Sequence, residues 1–179
     1  MRRDVKIKTA MYAGSFDPFT NGHLSIVKTA SELFDLVFVC IASNADKNRH
    51  TDVLAMKKAI EKTLQNEGLN NCKVVICDTL IAKYCKKYDI GYLIRGLRNT
   101  SDYLYEENIA KINQEINPDL KTIYLRGDND VISSSMIREL LKYGESINKY
   151  VPNEIANLLT TNEAPKKYFH QGGNLNGKT

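Results

Sequence analysis

The sequence predicts an α/β protein built on one parallel five-stranded sheet with helices on both faces, and three observations point to it. Segments of strand pattern and helical pattern alternate along the chain, the arrangement that places parallel strands in one sheet with crossover helices between them. Leu36–Ala42 (LVFVCIA) is an unbroken apolar run rich in β-branched and aromatic residues, as expected of a strand covered on both sides. The turns after the first, second, fourth and fifth predicted strands carry Gly, His, Lys, Arg and Ser, and open α/β sheets bind ligands at the carboxyl ends of their strands. A length of 179 residues with 42% hydrophobic composition suits one domain with a sizeable core.

The elements follow in order. Val5–Ala13 alternates Val5, Ile7, Thr9 and Met11 and reads as the first strand. After a ten-residue loop, Leu24 to Phe34 forms a helix with Ile26, Val27, Ala30 and Leu33 as its apolar stripe. The strand 36–42 comes next. Thr51 or Asp52 caps a helix to about Gln65, whose face carries Val53, Met56, Ile60 and Leu64, and Gly68 suits its left-handed stop. Lys73–Cys77 is the third strand, Leu80–Tyr88 a short helix and Tyr92–Ile94 a short fourth strand. A helix over 102–116 aligns Tyr105, Ile109, Ile112 and Ile116, with Pro118 just beyond its end. Thr122–Leu125 is the fifth strand; serines 133–135 open a helix to about Tyr143, and a last helix fits Asn153–Leu159. Residues 1–160 are expected to form the domain and 161–179 a flexible tail with no apolar period.

Composition removes several function classes. The formal charge is +4, and the last nineteen residues carry three Lys against one Glu, leaving the rest of the chain only about +2. Duplex nucleic acid is therefore disfavoured as the main ligand, whereas a small phosphorylated ligand needs only local cations. The four cysteines (40, 72, 77 and 85) lack C-x-x-C or Cys/His spacing, so zinc is not expected, and those at 40, 72 and 77 suit small buried thiols. No apolar run approaches a membrane span and the start does not resemble a signal peptide, so a cytoplasmic protein without membrane attachment is expected.

The chemistry concentrates in the strand-end turns. The first turn, Gly14-Ser-Phe-Asp-Pro-Phe-Thr-Asn-Gly-His23, leads into a helix whose N-terminal N–H groups and His23 can meet a phosphate. It is neither a dinucleotide fingerprint nor a P-loop, and the alternative is a capping loop whose His only bonds a carbonyl. After the fourth strand, Arg95 and Arg98 flank Gly96 and Leu97, a spacing suited to bidentate phosphate recognition or, alternatively, to ion pairs with Asp102 or Glu106. After the fifth, Ile132 precedes Ser133, Ser134 and Ser135, more hydroxyls than capping requires. Lys47, after the second strand, can reach the same crevice or remain a solvated loop lysine. Charge and positioning without a nucleophile or a caged metal are what phosphoryl or nucleotidyl transfer asks for.

Taken together, Thr20-Asn-Gly-His23, Tyr92-Leu-Ile-Arg-Gly-Leu-Arg98, Asp102-Tyr-Leu-Tyr-Glu106 and Ile132-Ser-Ser-Ser-Met-Ile-Arg138 resemble the H-x-G-H nucleotidyltransferase superfamily, and within it the phosphopantetheine adenylyltransferases, over residues 7–160. The match departs at Leu104, over 126–130, where an aromatic is missing, and around Lys47, where a second Lys and a Pro are missing. The resemblance implies a Rossmann-like fold of the nucleotidyltransferase type and transfer of AMP from ATP to 4′-phosphopantetheine by direct in-line attack, giving dephospho-CoA and pyrophosphate.

By the same resemblance, Ser15 touches both substrates, His23 stabilises the transition state, and Lys47 and Arg95 hold the incoming phosphate. Ile81 faces the pantetheine arm. Phe16, Gly96, Leu97, Arg98 and Glu106, with Asn129, Asp130, Val131, Ile132, Ser133, Ser134 and Ser135, join Ser15 and His23 around ATP. Mg²⁺ on the ATP phosphates, a homohexamer, and coenzyme A as a further candidate ligand are also implied. Three other readings compete: a nicotinate or nicotinamide mononucleotide adenylyltransferase, a cytidylyltransferase, and a nucleotide-binding regulator without turnover. Arg95-Gly-Leu-Arg98 argues against the first, the 130–135 sequence against the second, and the intact His23, arginines and serine run against the third.

Overall fold

In the computed structural model, which describes residues 7–42, 49–128 and 132–161, five parallel strands form one sheet in the order β3-β2-β1-β4-β5. The elements are β1 (Thr9–Gly14), α1 (Asn21–Leu33), β2 (Leu36–Ala42), α2 (Val53–Asn66), β3 (Cys72–Cys77) and α3 (Ile81–Lys87). β4 (Tyr92–Leu97), α4 (Thr100–Ile116), β5 (Lys121–Arg126), α5 (Ser134–Lys142) and α6 (Asn153–Thr161) complete the chain. Fold class, strand number and element order agree with the sequence expectation. The expectations for Val5, Lys47, Asn129–Val131 and nearly all of the expected tail fall outside the described residues.

The chain steps outward from β1 to β2 and β3, then returns to β1's other side with β4 and β5, which makes the β1/β4 boundary the point where strand order reverses. There the register is informative. β1 pairs with β4 only through Ala10↔Tyr92, Met11↔Leu93 and Tyr12↔Ile94, whereas β4 continues beside β5 as Arg95↔Tyr124, Gly96↔Leu125 and Leu97↔Arg126. The strands part after Tyr12 and Ile94, and a crevice opens between them. β4 thus runs three residues past the expected end at Ile94: Arg-Gly has turn chemistry in sequence, but pairing with β5 holds it extended. Among the described residues β1 begins at Thr9, and Ile7, ahead of it, is 65% exposed, so that position of the expected alternation is not in the core.

Two apolar clusters fill the faces of the sheet. The larger joins β1 and β2 side chains such as Tyr12, Val37 and Ile41 to Val27, Met56, Ile60, Ile137 and Ile155 from the helices. The smaller gathers Met11, Ala13, Cys40, Cys77, Cys85, Leu93 and Leu120. Cys40, Cys77 and Cys85 are buried free thiols and Cys72 is half-buried. Two expected apolar stripes need correction. Leu33 is exposed at the end of α1, and on α4 Tyr105 and Ile112 are 66% and 58% exposed while Glu106 is the buried residue.

Candidate active site

α1 starts at Asn21, three residues before the expected Leu24, because Thr20 is its N-cap. The Thr20 hydroxyl accepts from the His23 N–H, and the imidazole reaches back so that Nδ1 accepts the Thr20 N–H at 3.0 Å. This reciprocal capping box has a histidine in the position usually held by Glu or Gln. It fixes the ring and, since Nδ1 is an acceptor, leaves the proton on Nε2. Phe16 and Phe19 pack on the imidazole at centroid distances of 5.1 and 5.5 Å. Burial among these rings, reinforced by the charge of Arg98, lowers the His23 pKa to about 4. The group is a neutral N–H donor near neutral pH.

Around it lies a cleft of about 380 Å³ at the β1/β4 boundary. Ser15, Phe16 and His23 from the first turn line it, with Arg95, Gly96, Leu97 and Arg98 from β4 and its end, Glu106 from α4, and Ile132 with Ser133, Ser134 and Ser135 at the start of α5. The imidazole, both guanidinium groups and the serine hydroxyls therefore share one cavity. Both ion pairs left open by the sequence exist as well. Arg95 donates from Nε and Nη2 to the two carboxylate oxygens of Glu106, each at 2.6 Å, and from Nη1 to Ala13 O at 2.8 Å. Of its five N–H groups these bonds use three, so the pairing orients the guanidinium and leaves two donors for a ligand. Arg98 Nε meets Asp102 at 3.0 Å from a half-exposed position.

Small residues let the elements approach. A Cβ on Gly96 would sit 2.6 Å from Ile26 Cδ1, and one on Gly127 would sit 3.0 Å from both Gly22 O and Ser25 Oγ. Ser25 Oγ donates to Gly22 O and accepts the Asp128 N–H, which ties the end of β5 to the start of α1. Phe16 adopts φ +44°, a left-handed conformation costly for an aromatic residue, and is held there by its buried ring contacts. The Asp17 carboxylate is also held ionised. Burial would raise its pKa, but the His50 N–H, the Arg49 charge and the His50 and Thr51 hydrogen bonds outweigh that and lower it.

The chain matches the cytidylyltransferase-like family over residues 11–140. It is 43% identical over 151 residues to the phosphopantetheine adenylyltransferase of Streptococcus pneumoniae (strain CGSP14), covering 83% of this chain and 92% of that protein. The same enzyme of strain Taiwan19F-14 is 42% identical over the same shares. The chain belongs to the phosphopantetheine adenylyltransferase family. A crystal structure from Vibrio parahaemolyticus, described as that of a nicotinate-nucleotide adenylyltransferase, superposes with a TM-score of 0.63 at 22% identity, covering 87% of this chain and 93% of that one. That likeness shows the fold alone.

In this family member the cleft gathers twelve of the residues singled out from sequence, while Lys47 and Asn129–Val131 lie outside the described residues. Ile81 is different: it opens α3, packs against the smaller apolar cluster and is not among the residues lining the cleft. Tyr12 and Ile26 line it without having been singled out from sequence, and Thr20 and Arg138, which stand in the quoted motifs, line it although sequence reasoning assigns them no role of their own. Arg138 was accessible to that reasoning, since it follows Ser135 by three positions on one helix and its Nη2 meets Ser135 Oγ at 3.0 Å. Tyr12 and Ile26 have only the look of core residues, and nothing in their local sequence separates a cleft wall from a core.

Proposed function

We propose that this chain transfers AMP from ATP to 4′-phosphopantetheine, releasing pyrophosphate and forming dephospho-CoA. The observation that carries the reading is the convergence of His23, Arg95, Arg98 and Ser133–Ser135 on one cleft, in a chain of this family. The acceptor phosphate is largely dianionic near neutral pH, so one of its oxygens attacks the α-phosphorus without a general base. The bond from that phosphorus to the bridging oxygen breaks, and pyrophosphate leaves with the electron pair. His23 Nε2–H donates to the α-phosphate oxygens as their charge grows, and its neutrality lets it do so without losing a proton. Arg95, oriented by Glu106, holds the acceptor phosphate; Arg98 and the hydroxyls of Ser133 and Ser135 hold the nucleotide phosphates, with the Ser134 hydroxyl committed to Pro18 O and Ser15 between the two substrates.

Among the described residues no cluster of three or more His, Cys, Asp or Glu could cage a metal, and the one carboxylate lining the cleft, Glu106, is committed to Arg95. This donor set fits a cation that arrives on the substrate, so the nucleotide is written as MgATP; Mg²⁺ would neutralise the outer phosphates and stabilise the leaving pyrophosphate. Lys47 beside the acceptor phosphate, Ile81 along the pantetheine arm and Asn129–Val131 around adenine are assigned by resemblance to the family. Coenzyme A binding, a homohexameric assembly, a cytoplasmic location and a tail over 161–179 complete the reading on the same ground. No described helix is long and apolar enough to cross a membrane.

Pyrophosphate release from ATP, measured with phosphopantetheine and with nicotinate mononucleotide as acceptors, tests the assignment. Release dependent on phosphopantetheine is expected. Release with nicotinate mononucleotide alone would replace the acceptor.

A further inference from the structure

Four successive backbone carbonyls in the loop after β1 are bonded by side chains from other strand-end segments. Arg49 donates to Ser15 O from Nη1 at 2.8 Å and to Phe16 O from Nη2 at 3.5 Å. Arg138 Nη1 donates to Asp17 O at 2.6 Å, and Ser134 Oγ donates to Pro18 O at 2.8 Å. The clamp also runs in the opposite sense, because the Asp17 carboxylate accepts the N–H groups of His50 at 2.9 Å and Thr51 at 3.0 Å. Arg49 itself is anchored by Nε on Thr51 O.

The direction of these carbonyls matters to a site for anions. A carbonyl oxygen turned toward a phosphate repels it, whereas the N–H edge of the same peptides attracts it. Ser15 and Phe16 line the cleft but Arg49 is not among its lining residues, so the carbonyls bonded to Arg49 are turned toward a group outside that lining. The left-handed Phe16 makes this the segment most in need of external support, since relaxing its backbone would swing the flanking peptides. Arg138 lines the cleft as well, which mixes any bracing role with direct contact; Arg49 is the brace that stands clear of it.

We propose that Arg49 is a positioning residue for adenylyl transfer: by holding the Ser15 and Phe16 carbonyls out of the cleft, it keeps the N–H edge of the loop and the Ser15 hydroxyl presented to the phosphates. The inference rests on the adenylyltransferase reading. It makes Arg49, ahead of α2, a support of the nucleotide loop, although Arg49 is not among the residues lining the cleft.

The test uses the full chain with Arg49→Ala and Arg49→Lys. If the alanine variant leaves the binding-competent loop about one-tenth populated, KM for both ATP and phosphopantetheine rises about tenfold while kcat stays within about threefold. MgATP affinity measured by calorimetry without acceptor weakens about tenfold, and Arg49→Lys, which keeps the charge but lacks the planar fork, falls between wild type and alanine. The wild-type-to-alanine affinity ratio holds from low salt to about 0.5 M KCl, because a carbonyl clamp is not screened as a distant charge is. Unchanged KM and MgATP affinity overturn the proposal. So does an affinity ratio that collapses at high salt, or a lysine variant equal to wild type, since either assigns the effect to charge. A lower melting temperature with unchanged KM and affinity also overturns it, leaving Arg49 only a structural brace. Should wild type show no phosphopantetheine-dependent pyrophosphate release, the acceptor assignment fails, and the MgATP comparison still decides the role of Arg49.

Discussion

At His23 a capping contact leaves one ring nitrogen available for chemistry. The sequence placed it at a helix start beside a phosphate-accepting loop and left open whether it served the backbone or a ligand. In the structure Nδ1 serves the backbone by accepting the Thr20 N–H, which leaves Nε2 as the donor for the proposed phosphate contact. His23→Ala should lower kcat by about 10²–10³-fold while leaving ATP affinity near wild type, the pattern of a donor used only in the transition state. Steady-state rates alongside calorimetry check this. The pKa of about 4 also predicts a stability profile. Between the unfolded value near 6.5 and about 4, the unfolded chain binds the proton that the folded chain refuses, so His23's contribution is complete above that window and is lost as pH falls through it. Thermal melts from pH 7.5 to 4.5 should show a smaller loss for His23→Asn than for wild type. The Arg95–Glu106 pair invites a matching experiment. Arg95→Ala should raise the KM for phosphopantetheine more than that for ATP, and Glu106→Gln should do so less, since the guanidinium keeps its charge and its Ala13 contact.

At the scale of elements, β4 and α4 show where one-dimensional patterns mislead. Strands whose alternation or apolar run is complete, such as 36–42, were legible to the residue. β4 was not, because Arg95–Leu97 is held by register with β5 and not by any apolar pattern of its own. On α4 the helical period was real, but the stripe through Tyr105 and Ile112 does not face the sheet, and no reading of one chain's period can say what covers a stripe. Close approaches are equally hidden. Gly127 sits in sequence as an ordinary turn glycine, yet a Cβ there would stand 3.0 Å from the Gly22 carbonyl oxygen, close enough that the backbone must give by a few tenths of an ångström. Unlike Ile26 Cδ1 beside Gly96, a backbone carbonyl at a helix start cannot swing aside. Gly127→Ala should therefore push the end of β5 off α1, costing about 1–3 kcal/mol in urea unfolding, with kcat/KM falling as the cleft widens.

For the whole molecule, the exposed side of α4 is where the proposed assembly would bear on the site. Leu104, Tyr105 and Ile112 are 58–66% exposed on adjoining positions of α4, and exposed large apolar side chains grouped this way suit a face that a partner covers. The proposed homohexamer would supply the cover. Each large side chain removed from water would contribute roughly 1.5–3 kcal/mol, so a Glu placed at 105 and another at 112 should reverse the sign of the contact. Light scattering is expected to give the mass of six chains for wild type and a smaller species for Tyr105→Glu/Ile112→Glu, with the monomer fold retained because neither side chain is buried within one chain. A wild-type monomer would remove the assembly. The same helix carries Glu106 on its inner side, one residue from Tyr105, and Glu106 fixes the plane of Arg95. Uncovering the outer face frees α4 to shift on the sheet, and the guanidinium follows the carboxylate that holds it. The dissociated variant should consequently show a raised KM for phosphopantetheine, and one larger than its change for ATP. An equal rise for both substrates would mean that assembly shapes the cleft as a whole, and not through the Glu106–Arg95 pair.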